Sequence, residues 1–89
     1  MSSRPEQIEA RLVEAFEPVR LQIKDQSHLH AGHAGARDGK GHFDLRIVSP
    51  KFAGMSQIQR HRQVYQALGS LMETDIHALK IQARTPDED

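Results

Sequence analysis

The sequence predicts an α+β domain with two helices on one face of a three-stranded mixed sheet. Three observations lead there. Apolar residues recur at helical spacing from Ile8 to Phe16 and again from Ile58 to Met72. They alternate with polar residues in three short runs that begin at Val19, His42 and His77. The second helical segment separates the last two runs. A helical crossover within one sheet makes those two strands parallel and the connection right-handed.

Ile8, Leu12, Ala15 and Phe16 define the first helix, expected from about Arg4 to Phe16. Ser3 and Glu6 have capping-box spacing, Pro5 suits an early helical position, and Pro18 ends the segment. Val19, Leu21 and Ile23 then alternate with Arg20, Gln22 and Lys24, the pattern of a half-buried strand. Phe43, Leu45 and Ile47 alternate with His42, Asp44 and Arg46 in a second strand, which Ser49-Pro50 stops. These two strands are expected to pair as an antiparallel hairpin. Ser56 and Gln59 form another capping-box pair, so the second helix is expected from Ser56 to about Met72. Ile58, His61, Tyr65, Leu68 and Met72 make its apolar stripe, with Val64 and Leu71 beside it. Gly69 weakens its last turn. In the third strand His77, Leu79, Ile81 and Ala83 share one face. The closing TPDED is expected to be a disordered tail.

With 89 residues the chain makes one small domain. Its 37% hydrophobic and 27% charged residues suit a soluble folded domain rather than a disordered one. No apolar run nears the ~20 residues of a membrane span. The opening MSSRPEQIEA has no hydrophobic signal region, so a cytoplasmic setting is expected. There are no cysteines, which excludes disulfides, thiolate nucleophiles and a self-contained Cys-ligated metal site. Any metal would be held by His, by carboxylate or by a partner's ligands. Lys and Arg equal Asp and Glu in number, which argues against strong non-specific nucleic-acid binding. From Arg37 to Arg62, however, Arg37, Lys40, Arg46, Lys51, Arg60 and Arg62 stand against only Asp38 and Asp44. The middle therefore offers either a basic patch or an ordinary mixed-charge surface. No nucleophile-with-base spacing, P-loop or GxGxxG is present, so an enzyme is not expected.

The segment from Ser27 to His42, SHLHAGHAGARDGKGH, holds four of the six histidines and almost nothing that can pack a core. Long structureless loops in small domains are usually functional or disordered. Rich in glycine and imidazole, this one reads as a flexible metal-ligand arm that needs a fixed ligand elsewhere, for which His77 is the best candidate. The bland alternative is a hydrogen-bonded structural histidine at a strand start.

Several motifs now combine. Arg60-His61-Arg62 with Val64-Tyr65, Ile76-His77-Ala78-Leu79, Ser49-Pro50-Lys51-Phe52-Ala53-Gly54, His42-Phe43, and Asp25-Gln26-Ser27 before a His-bearing loop occur in one order in a chain of this size. From Ile8 to Pro86 the sequence resembles the BolA family. The resemblance implies a fold like a class II KH domain. It also implies pairing with a monothiol glutaredoxin of the CGFS type, either as an apo complex or around a shared [2Fe–2S] cluster. There the glutaredoxin cysteine and a glutathione thiol supply sulfur, and the BolA-like protein supplies a strand-three His and a loop His or Cys. Carried over, the metal ligands are His77 and His30, which lies three residues after Ser27; His28 and His33 are the less favoured loop alternatives. With no cysteine, this is the histidine-loop subtype. The sequence departs from the usual loop in its extra histidines and in lacking a proline often found there. It stops soon after Thr85-Pro86, where many relatives continue, so a contact made by that extension is expected to be missing.

Some members of the family have been regarded as transcriptional regulators linked to stress and cell shape. DNA contact through the Arg60-His61-Arg62 helix is therefore the second expectation. Arg60 and Arg62 would contact glutathione, the partner's surface or nucleic acid, unless they are ordinary surface charges. His61 is expected mainly to pack against the sheet, and His42 to pack or hydrogen-bond at its strand start. The KH route to nucleic acid is not available, because Lys51-Phe52-Ala53-Gly54 is not the GXXG loop that clamps a backbone. Few aromatics are present for base stacking.

Overall fold

The computed structural model describes residues 4–26 and 41–89. Helix α1 (Arg4–Phe16) turns Ile8, Leu12 and Phe16 inward and leaves Ala15 exposed. It closes at Glu17, whose N–H donates to the Val13 carbonyl at 3.0 Å and whose φ of 45° is left-handed. That conformation reverses the chain just before Pro18. Ser3, the expected cap of α1, lies outside the described residues.

Strand β1 (Arg20–Asp25) pairs antiparallel with β2 (Gly41–Val48), Arg20 opposite Val48 and Asp25 opposite Phe43. Strand β3 (Ile76–Arg84) pairs with β2 in parallel, giving the order β1-β2-β3. The mixed sheet, the hairpin and the crossover are as the sequence predicts. Strand β2 begins at Gly41, one residue before the expected start at His42. Phe43, Leu45 and Ile47 of β2 meet Ile8, Leu12 and Phe16 of α1 in one core cluster that also holds Val64 and Leu68. Both long helices therefore cover the same sheet face.

The second helical segment is not continuous. It divides into α2 (Gln57–Leu68) and a single turn, α3 (Leu71–Thr74). The division falls at Gly69, with φ 54° and ψ −128°, a conformation open in practice only to glycine. Gly69 thus ends the helix rather than weakening it. At its start the capping box is present: Ser56 Oγ accepts from the Gln59 N–H at 3.2 Å, and Gln59 Oε1 accepts from the Ser56 N–H at 2.8 Å. The buried face of α2 is Arg60, Val64 and Leu68, at i, i+4 and i+8. Ile58 and Tyr65, expected on the apolar stripe, are 65% and 42% exposed.

Ser49 joins the two halves of the helical layer. Its fully buried hydroxyl donates to the Phe16 carbonyl at 2.7 Å and accepts from the Lys51 N–H at 3.1 Å. The contact ties the end of α1 to the short 3-10 turn Pro50–Phe52, and the Phe16 and Phe52 rings lie 4.9 Å apart beside it. Ser49→Ala removes the donor and leaves a buried carbonyl unsatisfied, so it is expected to cost about 1–3 kcal/mol. Urea unfolding should show a lower midpoint at unchanged slope. An unchanged midpoint would mean that the hydroxyl holds nothing.

Candidate functional site

Two ends of the sheet carry the residues singled out by sequence. At the first, the ends of the histidine-rich segment meet the start of β3. Gln26 N–H donates to the His42 carbonyl at 2.7 Å, and Gly41 N–H donates to the Asp75 carbonyl at 2.8 Å. The β2–β3 register slips at this corner: Gly41 faces Ile76 but His42 faces Ala78, so residue 77 has no opposite number. This bulge explains a departure from the expected alternation. Ile76 enters the core out of phase with Leu79, Ile81 and Ala83, and the extra residue absorbs the difference. Bulges of this kind concentrate beside functional sites, where they re-aim a side chain. For His77 the structure describes the backbone. His28, His30 and His33 lie outside the described residues. Among the described residues, no group of three or more His, Asp or Glu comes together as a metal site. His42 is half-buried at the start of β2.

At the other end stands Arg60, only 4% exposed. Its Nε donates to the Met55 carbonyl and its Nη1 to the Ala83 carbonyl, both at 3.0 Å. Nη1 and Nη2 also grip the Glu88 carboxylate at 2.6 and 3.1 Å, and Glu88 Oε1 accepts from the Thr85 N–H at 2.8 Å. The hydrogen bonds from Arg60 first, and from Thr85 second, hold the Glu88 carboxyl down at about 2. The same bond to Glu88 raises the Arg60 guanidinium above its ordinary value against the opposing effect of burial. Two expectations are corrected here. Arg60 is not a surface contact residue, because its donors are committed to the fold. Residues 85–89 are not a disordered tail, because Glu88 ties them to α2. The clue in the sequence was Arg60 at helical spacing from Val64 and Leu68, which is easily discounted because arginine is rarely buried unless paired.

His61 is half-buried and lines a shallow depression with Gln57, Ile81 and Glu88, while Arg62 is exposed. The basic run from Arg37 to Arg62 does not make one patch among the described residues. Arg46 lies on the sheet, Lys51 sits 3.9 Å from Glu17 in an exposed pair, and Arg60 is buried. No helix among the described residues is long and apolar enough to cross a membrane.

A helix-strand-strand-helix-strand order with a register slip at residue 77, at the start of β3, defines a small α+β domain. The BolA-like protein family model matches residues 12–88, and the chain belongs to the BolA family. It is 42% identical over 91 residues to "Protein BOLA1, chloroplastic" of Arabidopsis thaliana, covering 99% of this chain and 57% of that protein. It is 43% identical over 93 residues to "SufE-like protein 1, chloroplastic/mitochondrial" of the same plant, covering 99% of this chain and 25% of that protein. The chain thus spans a quarter of one and just over half of the other. A third relative, "DNA-binding transcriptional regulator BolA" of Haemophilus influenzae, is 37% identical over 81 residues, 91% of this chain and 76% of that one. The solved BolA domain of SufE1 from Arabidopsis thaliana superposes with a TM-score of 0.86 at 41% identity, covering 100% of this chain and 99% of that one.

The roles of the two arginines separate experimentally. Arg60→Ala strips two carbonyls of their donor and should cost about 1–3 kcal/mol in urea unfolding. Arg62→Ala should stay within about 0.5 kcal/mol of wild type, as exposed substitutions do. Equal effects would contradict the burial of Arg60. The Glu88 contribution has a defined pH window. Its folded pKa is depressed, so the stabilisation is complete above the ordinary carboxylate pKa of ~4.3 and is lost as pH falls toward about 2. Glu88→Gln should therefore be less stable than wild type near neutral pH and converge with it near pH 2. A gap that stays constant on acidification would rule out an ionic clasp.

Proposed function

We propose that this protein is an adaptor that binds a monothiol CGFS glutaredoxin and shares with it a glutathione-dependent [2Fe–2S] cluster. Its role would be cytoplasmic iron–sulfur cluster trafficking or iron and redox sensing, and it would act by binding rather than by catalysis. The observation that carries the reading is the corner of the sheet. Residues 26 and 41, which bound the histidine-bearing segment, are hydrogen-bonded into the same corner where the register slips at residue 77.

The donor set suits a cluster completed by another protein. Without cysteine the chain offers imidazoles, and His77 and His30 would hold the iron, with His28 and His33 as alternatives to His30. Imidazole in place of thiolate raises a cluster's reduction potential, as in Rieske centres. Ligation by imidazole also requires the deprotonated ring, so retention of the cluster would weaken on acidification through the histidine range. The glutaredoxin and glutathione supply the sulfur ligands this sequence lacks.

A second reading is DNA binding, which has the printed name of the Haemophilus influenzae relative behind it. With Arg60 buried, α2 would bring to DNA only the exposed Arg62 and the half-buried His61.

The test is reconstitution with a CGFS glutaredoxin, glutathione, iron and sulfide, followed by visible circular dichroism and EPR. Wild type should give a cluster spectrum distinct from that of the glutaredoxin alone, and both His77→Ala and His30→Ala should alter or abolish it. Loss with His77→Ala alone would move the second ligand to His28 or His33. A glutaredoxin spectrum unchanged by mixing would overturn the shared-cluster reading.

A further inference from the structure

The sheet face turned away from the helices is basic. In register it carries three cross-strand rows: Arg20, Val48 and Arg84; Gln22, Arg46 and Gln82; Lys24, Asp44 and Lys80. Asp44 is the one acid these rows contribute, against Arg20, Lys24, Arg46, Lys80 and Arg84. Lys24 and Lys80 form no ion pair among the described residues. Strands lie ~4.8 Å apart and same-face residues recur every ~6.6 Å along a strand, so the cations fall within a patch of roughly 10 by 13 Å.

One seat on this face is filled. The Asp89 carboxylate accepts from Arg46 Nη2 at 2.6 Å and lies 3.6 Å from Arg20 Nη1, and its side chain is only 13% exposed. We propose that this face docks an acidic stretch of a partner polypeptide in extended form, and that Asp89 occupies the Arg46 seat when that partner is not bound.

Three arguments favour a peptide. The group seated on Arg46 is itself a peptide carboxylate. Along β1 and β3 the cations stand four residues apart, Arg20 with Lys24 and Lys80 with Arg84, a spacing of about 13 Å that acidic residues four positions apart on an extended chain reproduce. Bases would find no stacking platform, because Phe16, Phe43 and Phe52 are in the core and Tyr65 is on α2. The proposal is independent of the cluster reading, since the three rows include none of the proposed ligands His77, His30, His28 and His33.

The experiment uses the full chain and an acetylated eight-residue peptide alternating Glu and Ser, followed by amide NMR and fluorescence anisotropy. A hexathymidylate, whose five phosphodiesters match the peptide's four glutamates and C-terminal carboxylate, runs in parallel. The peptide should shift the amides of Gln22, Lys24, Arg46 and Gln82, and should bind more weakly as salt rises. Arg46→Gln should weaken binding by about two- to fivefold, the range of an exposed ion pair, and Asp89→Asn should tighten it by a similar factor by vacating the seat. Shifts confined to α2, or an affinity indifferent to Asp89→Asn, would overturn the proposal. Binding of the oligonucleotide but not the peptide would overturn it in favour of a phosphate-reading face.

Discussion

The structure turns on one buried guanidinium. Arg60 draws the turn before α2, the end of β3 and the last residues of the sequence onto a single planar group. A charge taken out of water is costly unless it is paired and its remaining protons are satisfied. Here two carbonyls and a carboxylate meet that condition. The consequence reaches the whole helix. With Arg60 inward, Val64 and Leu68 follow at i+4 and i+8, and Ile58 and Tyr65 turn toward solvent. The surface that α2 offers to a partner is thus set by an ion pair formed with residues nearly 30 positions away.

The opposite end of the sheet is organised by register rather than by charge. Strand β2 is central and pairs on both sides, so its alternation cannot slip without emptying the core. The irregularity is displaced onto β3, at residue 77, where the two strands begin. Residue 77 is tied to the sheet through its backbone neighbours, outside the pairing that the rest of the strand follows. The two ends divide the work: the Arg60 end locks the domain, and the His77 end is where the histidine-bearing segment leaves and rejoins it.

A formal charge of zero conceals a segregated surface. The exposed side of α1 carries Glu6, Glu9 and Glu14 against Arg11, and Glu17 follows at its end, while the open sheet face carries Arg20, Lys24, Arg46, Lys80 and Arg84 against Asp44. Association responds to local fields, not to the sum. The neutral total argues against strong non-specific nucleic-acid binding, but it leaves room for complementary docking on one face.

The elements and their order were legible in the sequence because period, capping and turn chemistry are local. Ile8 to Phe16, the Ser56–Gln59 box and the alternation around Leu45 each needed only a few neighbours to be read. His77 stood out as a strand-start histidine, and the family resemblance pointed to its partner in the loop; His28, His30 and His33 fall outside the described residues. What only the tertiary structure decided were the rotation of α2, its break at Gly69, the bulge at residue 77 and the anchoring of residues 85–89. Each of these depends on contacts between distant parts of the chain. Burying an arginine becomes favourable only when Ala83 and Glu88 are brought to it, and a strand changes phase only when its neighbour holds the register. Local sequence cannot show such an arrangement, because the groups that make it favourable meet only after the chain has folded.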